Sequence, residues 1–466
     1  MPAAFTAAEI VAATRGLLAQ GRREDAFVGV STDSRTCQAG ELFVPLKGER
    51  HDGHDYLPKA VARGVRGVVA AAEFLRRNGL RPLLPPEVTV VAVSDTLKAL
   101  GDFAHAWRRR FSIPVVSLTG SCGKTTAKEM TALVLSRFYR VLKNELNLNN
   151  LIGLPQTLLQ VDGTYDAAVL EMGMNRFGEI SRLTEISHPT VGVLLNVHPA
   201  HTEGVGCVEG VACAKGELIS GLSPEATLVY NADDPRVACR AASFGGRRLG
   251  FGFGPTAELR AISRQSRGLA GQTVQVAYAG KSWPLTLAVP GEHQVMNALA
   301  AVAVALALGL PGEEAGAALA DFKAIQRRSQ VQVLPSGVYL LNDCYNANPG
   351  SMATALETLM ELKGAGRAAA ALGDMLELGA GAAAAHRELG RRAAATGLNF
   401  LVIYGDYRHE VAAGAEEAGL PPERLKPVTT KEEGARILQS YLQPGDWLLV
   451  KGSRSMKMEN IIELLR

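Results

Sequence analysis

Several class-defining features are absent from this chain of 466 residues. Its six cysteines, at 37, 122, 207, 213, 239 and 344, include no C-x-x-C pair and no spacing that reads as a zinc site, so reduced intracellular thiols are the simplest account. No apolar run approaches the ~20 residues that a membrane helix needs; the longest is Ala298–Leu310. Ala7–Leu18 has the pattern of an ordinary amphipathic helix, without the basic leader and apolar core of a targeting segment. A dense basic stripe is missing too, and a formal charge of +3 is close to balance, which removes the electrostatic case for nucleic-acid binding. The short run Arg108-Arg109-Arg110 reads as a solvated helix end. These absences leave a cytoplasmic globular protein, expected to be monomeric and without stable membrane association.

What is present is a phosphate-binding loop. The apolar run Ile113–Leu118 predicts a buried strand, Ala127–Phe138 an amphipathic helix, and between them stands Thr119-Gly120-Ser121-Cys122-Gly123-Lys124-Thr125-Thr126. Gly120 and Gly123 let backbone N–H groups approach an anion, and the helix N-terminus adds positive potential. Lys124 supplies a charge, and Thr125 a hydroxyl for a phosphate-bound Mg²⁺. A plain strand-to-helix turn would need the glycines but not Gly-Lys-Thr. Leu118 occupies the position where the strict P-loop pattern has its first glycine, so the chain carries a shorter variant of that loop.

The length predicts roughly three domains, and the pattern of elements divides the chain at 1–110, 111–325 and 326–466. The first reads as a small α/β module with strands Leu42–Leu46, Gly67–Ala70 and Val88–Val93. Long apolar strands alternating with helices then predict a mainly parallel sheet covered on both faces, followed by extra antiparallel strands within Arg240–Pro290. A third alternation from about Val331 resembles a dinucleotide-binding sheet, yet no G-x-G-x-x-G follows its first strand, so NAD binding is not supported. The overall expectation is α/β in three domains, the last Rossmann-like.

Other residues carry weaker local signals. Glu171 ends the strand Ala167–Met172, where a carboxylate can hold Mg²⁺ opposite the loop or simply face solvent. His198 reads as structural; His201, beyond a strand end beside Glu203, asks for a proton-transfer role or an unusual metal position, since Mg²⁺ prefers oxygen. Lys215, on its own, is an exposed helical lysine. Asn297 could donate to a base or cap its own turn, Arg328 could neutralise a transferring phosphoryl group, and Asn342–Pro349 reads as a turn at a strand's carboxyl end.

Taken in order, the segments Asp33-Ser34-Arg35, Leu46-Lys47-Gly48, Gly120–Thr126, Asn149-Asn150, Glu171-Met-Gly, Ala200-His201, Ala214-Lys215-Gly-Glu, Asp343-x-Tyr345-Asn-Ala-Asn348-Pro, Gly373-Asp374-Met-x-Glu-Leu-Gly379 and Lys451-Gly-Ser-Arg454 resemble the Mur ligases, ATP-dependent amide-forming enzymes of peptidoglycan synthesis. The likeness runs nearly end to end. It implies a UDP-substrate-binding first domain, a P-loop ATPase-like centre and a closing third domain. The implied substrates are UDP-N-acetylmuramoyl-tripeptide and D-alanyl-D-alanine, joined through an acyl phosphate with ATP and two Mg²⁺ sites.

Roles follow from the same resemblance. Residues Gly120 to Thr126, namely Gly120, Ser121, Cys122, Gly123, Lys124, Thr125 and Thr126, together with Asn297, Arg328 and Asp343, would bind the nucleotide. Ser34, Arg35, Lys47, Gly48, Asn149, Asn150, Tyr345 and Asn348 would bind substrate. Thr125, Glu171, His201 and a carbamylated Lys215 would hold metal, and Lys124, His201, Lys215 and Arg328 would act in catalysis. The chain departs from the family's usual pattern at Thr202, Val205, Cys207, Gln294, Cys344 and Arg327, the last standing where glycine often precedes the arginine. A sister ligase adding the third amino acid, or a folylpolyglutamate-synthase-like enzyme, is the nearest alternative. A GTP switch on the same loop lacks its Asn-Lys-x-Asp signature, and a noncatalytic UDP-sugar scaffold would have no need of the metal-ligand set.

Overall fold

The computed structural model describes residues 5–79 and 84–466. Among these residues the strands form three α/β sheets in series plus a two-stranded pair, Phe5–Thr6 with Ala26–Phe27. The first sheet has five strands in the spatial order Leu17–Gln20, Thr89–Val93, Gly67–Ala71, Leu42–Phe43 and Val30–Ser31, parallel except at the Leu17–Gln20 edge. The helix expected over Ala7–Leu18 is shorter: it spans Ala7–Thr14, and Arg15 turns the chain with a left-handed φ of 53°. The remaining residues pair with Thr89–Val93, a partner far away in sequence that local periodicity could not reveal.

The helix Thr96–Arg108 joins the first domain to the second. Asp95 caps it by accepting from the Lys98 N–H at 2.9 Å. Its apolar stripe, Ala99, Leu100, Phe103 and Trp107, packs into the first domain's core, while Ala104 packs into the core of the next. Arg108 is not solvated as expected but 5% exposed, donating to the carbonyls of Ser187, Phe111 and Ile113. Those carbonyls face the buried helix end, and a guanidinium is the side chain with enough donors to satisfy all three.

The central sheet has nine strands. Its parallel part runs Val141–Lys143, Ala167–Glu171, Val115–Thr119, Val191–Leu194, Thr227–Asn231 and Arg247–Gly252. Leu259–Ser266 joins Arg247–Gly252 in parallel, and Gln272–Tyr278 and Lys281–Leu287 then extend the sheet antiparallel, the extra antiparallel strands expected for the Gly-rich stretch. The strand Val115–Thr119 is fully buried, apolar save for Ser117 and Thr119, and flanked by neighbours that arise later in the chain on opposite sides. That is a topological switch point, where an open parallel sheet leaves a crevice at its carboxyl edge. The apolar helix Glu292–Ala307 packs beside the loop helix Lys124–Leu135 in one core cluster.

The third sheet runs Gln330–Val333, Tyr339–Asn342, Trp447–Lys451, Ala368–Gly373, Phe400–Tyr404 and Leu425–Val428, parallel after its first, antiparallel strand. It is docked on the central domain. Arg264 makes a two-pronged pair with Glu361 at 2.7 and 2.8 Å, Thr202 donates to the Leu378 carbonyl at 3.0 Å, and the Glu203 N–H donates to the Glu377 carbonyl at 3.1 Å. No helix among the described residues is long and apolar enough to cross a membrane.

Candidate active site

A cavity of about 670 Å³ opens where the switch point meets the third domain. Its floor is the loop after Val115–Thr119. Gly123 has φ 79°, and a Cβ there would collide with Asn297 Oδ1, so only glycine lets the helix Glu292–Ala307 come this close. Asn297 is the sixth residue of that helix rather than a cap, and it donates to Gln294 Oε1 at 3.3 Å. Ser121, Cys122, Lys124, Thr125 and Thr126 line the cavity beside Gly123, while Gly120 lies behind, its carbonyl accepting from Lys124 Nζ at 2.9 Å. Burial pushes the Lys124 ammonium below its ordinary value, offset in part by the Glu171 charge.

Sequence reasoning gave Asn196 no role, yet it shapes this loop. Its Oδ1 accepts from the Cys122 N–H at 2.8 Å and its Nδ2 donates to the Cys122 carbonyl at 3.1 Å. The Ser121 N–H also donates to the Asn196 carbonyl at 3.0 Å. The available signal was its place just past a strand end at the sheet's carboxyl edge.

Glu171 is 2% exposed, not a solvated acid. Thr125 Oγ1 donates to its Oε2 at 2.7 Å and Asn149 Nδ2 to its Oε1 at 2.8 Å. No Lys, Arg or His among the described residues pairs with it. A buried carboxylate held only by neutral donors calls for a cation. Because the Thr125 hydroxyl spends its proton on Glu171, its lone pairs are left for a hard ion, so this pair suits Mg²⁺. The remaining expected ligands are placed differently. His201 Nδ1 lies 2.6 Å from Glu377 Oε2 of the third domain without good hydrogen-bond geometry, and no cluster of three or more His, Cys, Asp or Glu gathers as a metal cage among the described residues.

Lys215 is 1% exposed, against the expectation of a surface lysine. It sits on Val208–Gly221 behind the cavity wall, and burial first, then the charge of Lys124, drives its ammonium far below the usual lysine range. Both causes favour the uncharged amine over the ammonium.

The third domain closes the cavity. Arg328 stacks its guanidinium 4.0 Å over the Tyr345 ring. Asp343 accepts from the Ser329 N–H at 2.7 Å and pairs with Lys451, another cavity residue to which the sequence reading assigned no role. Asn348 caps the helix Pro349–Lys363 and donates to the Ser121 carbonyl at 3.4 Å, with the Cys122 thiol 3.2 Å from its Oδ1. A smaller cavity shares Ser121, Lys124, His201 and Asn348 with the first. His198, read as structural, lines the main cavity and is held below its ordinary pKa by burial.

Asn149 and Asn150 line this cavity, and Asn150 Oδ1 also accepts from the Ile152 and Gly153 N–H groups at 3.1 and 2.9 Å at the start of the helix Gly153–Leu158. Ser34, Arg35, Lys47 and Gly48 are not brought into this cavity. They follow the carboxyl ends of the first sheet's strands Val30–Ser31 and Leu42–Phe43, where Arg35 is largely exposed and paired with Asp33. Gln156 Nε2 donates to Thr32 Oγ1 at 2.8 Å and ties that edge to the central domain.

Comparison with known proteins covers almost the whole chain. Residues 26–108 match the Mur ligase family catalytic domain, 118–305 the Mur ligase middle domain and 327–454 the Mur ligase glutamate ligase domain. The UDP-N-acetylmuramoyl-tripeptide–D-alanyl-D-alanine ligase of Bacillus subtilis is 35% identical over 98% of this chain and 97% of its own. The Escherichia coli enzyme of that name is 35% identical over 94% and 93%. A crystal structure of MurF from Acinetobacter baumannii superposes with a TM-score of 0.90 at 30% identity, covering 100% of this chain and 99% of that one. MurF from Thermotoga maritima in complex with ADP gives 0.80 at 28% identity over 94% and 96%.

Proposed function

The chain belongs to the Mur ligase family, and from that premise we propose how its cavity works as an ATP-dependent amide ligase of peptidoglycan synthesis. The enzyme joins D-alanyl-D-alanine to UDP-N-acetylmuramoyl-tripeptide, giving the pentapeptide, ADP and phosphate. The carrying observation is convergence: Lys124 and Thr125 from the loop, Glu171 from the next strand and Arg328, Asp343 and Asn348 from the third-domain side line one cavity.

The terminal carboxylate of the tripeptide attacks the γ-phosphorus, and the bond to ADP breaks. The amine of the dipeptide then attacks the acyl phosphate, phosphate leaves and the nitrogen loses a proton. Both steps bring anions or electron-rich groups together, so charge neutralisation does most of the work. Loop N–H groups and Lys124 hold the phosphates, and Arg328 offsets charge at the terminal one. Asn297 and Asp343 orient the nucleotide. His201, where the two cavities meet, takes the proton.

Thr125 and Glu171 are the residues that would hold Mg²⁺, which supplies Lewis-acid neutralisation of the phosphate oxygens. Lys215 joins them only once carbamylated: its amine, in the unprotonated form that the lowered pKa favours, adds CO₂, losing a proton and becoming a carboxylate-like oxygen donor. Its burial without an ion-pair partner among the described residues supports that chemistry. The first domain, through Ser34, Arg35, Lys47 and Gly48, binds the UDP end, with Asn149, Asn150 and Tyr345 nearer the peptide. Use of ATP and a UDP-linked precursor supports a cytoplasmic location. ADP release is the test, with ATP, Mg²⁺, UDP-MurNAc-tripeptide and D-Ala-D-Ala supplied and each omitted in turn. Release that does not depend on the dipeptide would sink the assignment.

A further inference from the structure

Between the second and third sheets the chain passes through Arg327-Arg328-Ser329, and the outer two residues carry left-handed φ angles of 61° and 48°. Side chains bearing a Cβ rarely adopt that conformation, and it persists where neighbours over-determine it. Here the neighbours come from the third domain. The Tyr345 N–H donates to the Arg327 carbonyl at 3.1 Å, and the Ser329 N–H donates to Asp343 Oδ1 at 2.7 Å. The Arg327 side chain turns away from the cavity, and its Nη1 lies 2.9 Å from Glu459 Oε1. Arg454 reaches the same oxygen at 2.6 Å. Glu459 is only 12% exposed at its side chain, so the shared carboxylate is a fixed post rather than a surface ion pair.

We propose that Glu459 is a positioning residue for Arg328: through Arg327 it holds the left-handed turn, and the turn keeps Arg328 stacked on Tyr345 and facing the cavity. The proposal rests on the reading that Arg328 meets the nucleotide's terminal phosphate. It adds that arginine at 327 needs an anchor where glycine would not, because glycine occupies a φ of this kind without strain.

Four variants separate the possibilities, each measured for ADP and ATP-analogue affinity by calorimetry, for kcat and KM, and for Tm. Arg328→Ala weakens the ATP analogue. Arg327→Ala keeps the strain but loses the anchor, and lowers affinity for the ATP analogue about tenfold, the scale of one charge-assisted contact. Glu459→Gln does the same, whereas Arg327→Gly recovers most of the loss because the turn no longer strains. A purely structural pair would lower Tm and leave the analogue's affinity alone, and that result in Arg327→Ala and Glu459→Gln overturns the proposal. Arg327→Gly as weak as Arg327→Ala also overturns it, since the guanidinium would then act directly. Unchanged affinity in Arg328→Ala would instead remove the premise about Arg328, and the proposal with it.

Discussion

Asn196→Ala tests whether the phosphate loop is held in its binding shape before nucleotide arrives. The wild-type amide satisfies both backbone polar groups of one residue, accepting from the Cys122 N–H at 2.8 Å and donating to the Cys122 carbonyl at 3.1 Å. Removing two neutral hydrogen bonds costs about 1–3 kcal/mol in total. The backbone bond from the Ser121 N–H to the Asn196 carbonyl survives the change, and the variant stays folded with its loop free to rearrange. Most of the cost then appears on binding, because a disordered loop must be ordered around the phosphates. ADP affinity is expected to fall by about 5- to 150-fold. Isothermal titration with ADP and Mg²⁺ measures it directly. Asn196→Asp keeps the acceptor, loses the donor and places a carboxylate beside the phosphates, so it should bind still more weakly. Affinity within about twofold of wild type in Asn196→Ala, well under the tenfold that 1.4 kcal/mol represents, would refute preorganisation by this side chain.

Lys215→Ala should abolish turnover, with partial recovery on adding a short-chain carboxylate that replaces the carbamate oxygens; full activity without rescue would rule out the carbamate role. Arg108→Ala leaves three inward-facing carbonyls without their guanidinium and should cost about 3 kcal/mol of stability, read as a lower midpoint in urea. His293 gives the fold an acid sensitivity, since burial pushes its pKa from 6.5 down to about 4. The folded-state value is the lower one, so the unfolded chain binds the extra proton between these pH values. Stability from the neutral ring is complete above pH 6.5 and is lost as pH falls toward 4, and His293→Gln should flatten that part of the stability–pH curve.

The alternation of strands and helices was legible because a parallel sheet covered on both faces imposes continuous apolar strands on the sequence. Val115–Thr119 and Trp447–Lys451 show it, and each is fully buried. The edge strand Leu17–Gln20 was not legible, since its burial alternates weakly and its pairing is remote. Arg108 and Lys215 misled for a common reason: a charged residue on a helix is normally solvated, and nothing local says that the surrounding surface has been covered.

By itself the sequence marked the loop Thr119–Thr126, because the signals at Gly123, Lys124 and Thr125, backbone freedom, charge and a hydroxyl, are fixed within a few residues. It also determined that Glu171 would stand at the same sheet edge, through the period of the parallel strands. Only the tertiary structure decided what surrounds them. The burial of Lys215, the Asn196 clamp on Cys122, the Glu377 approach to His201 and the Glu459 anchor for Arg327 all join segments remote in sequence. Desolvation and long-range pairing are properties of the packed chain, and no local pattern encodes them.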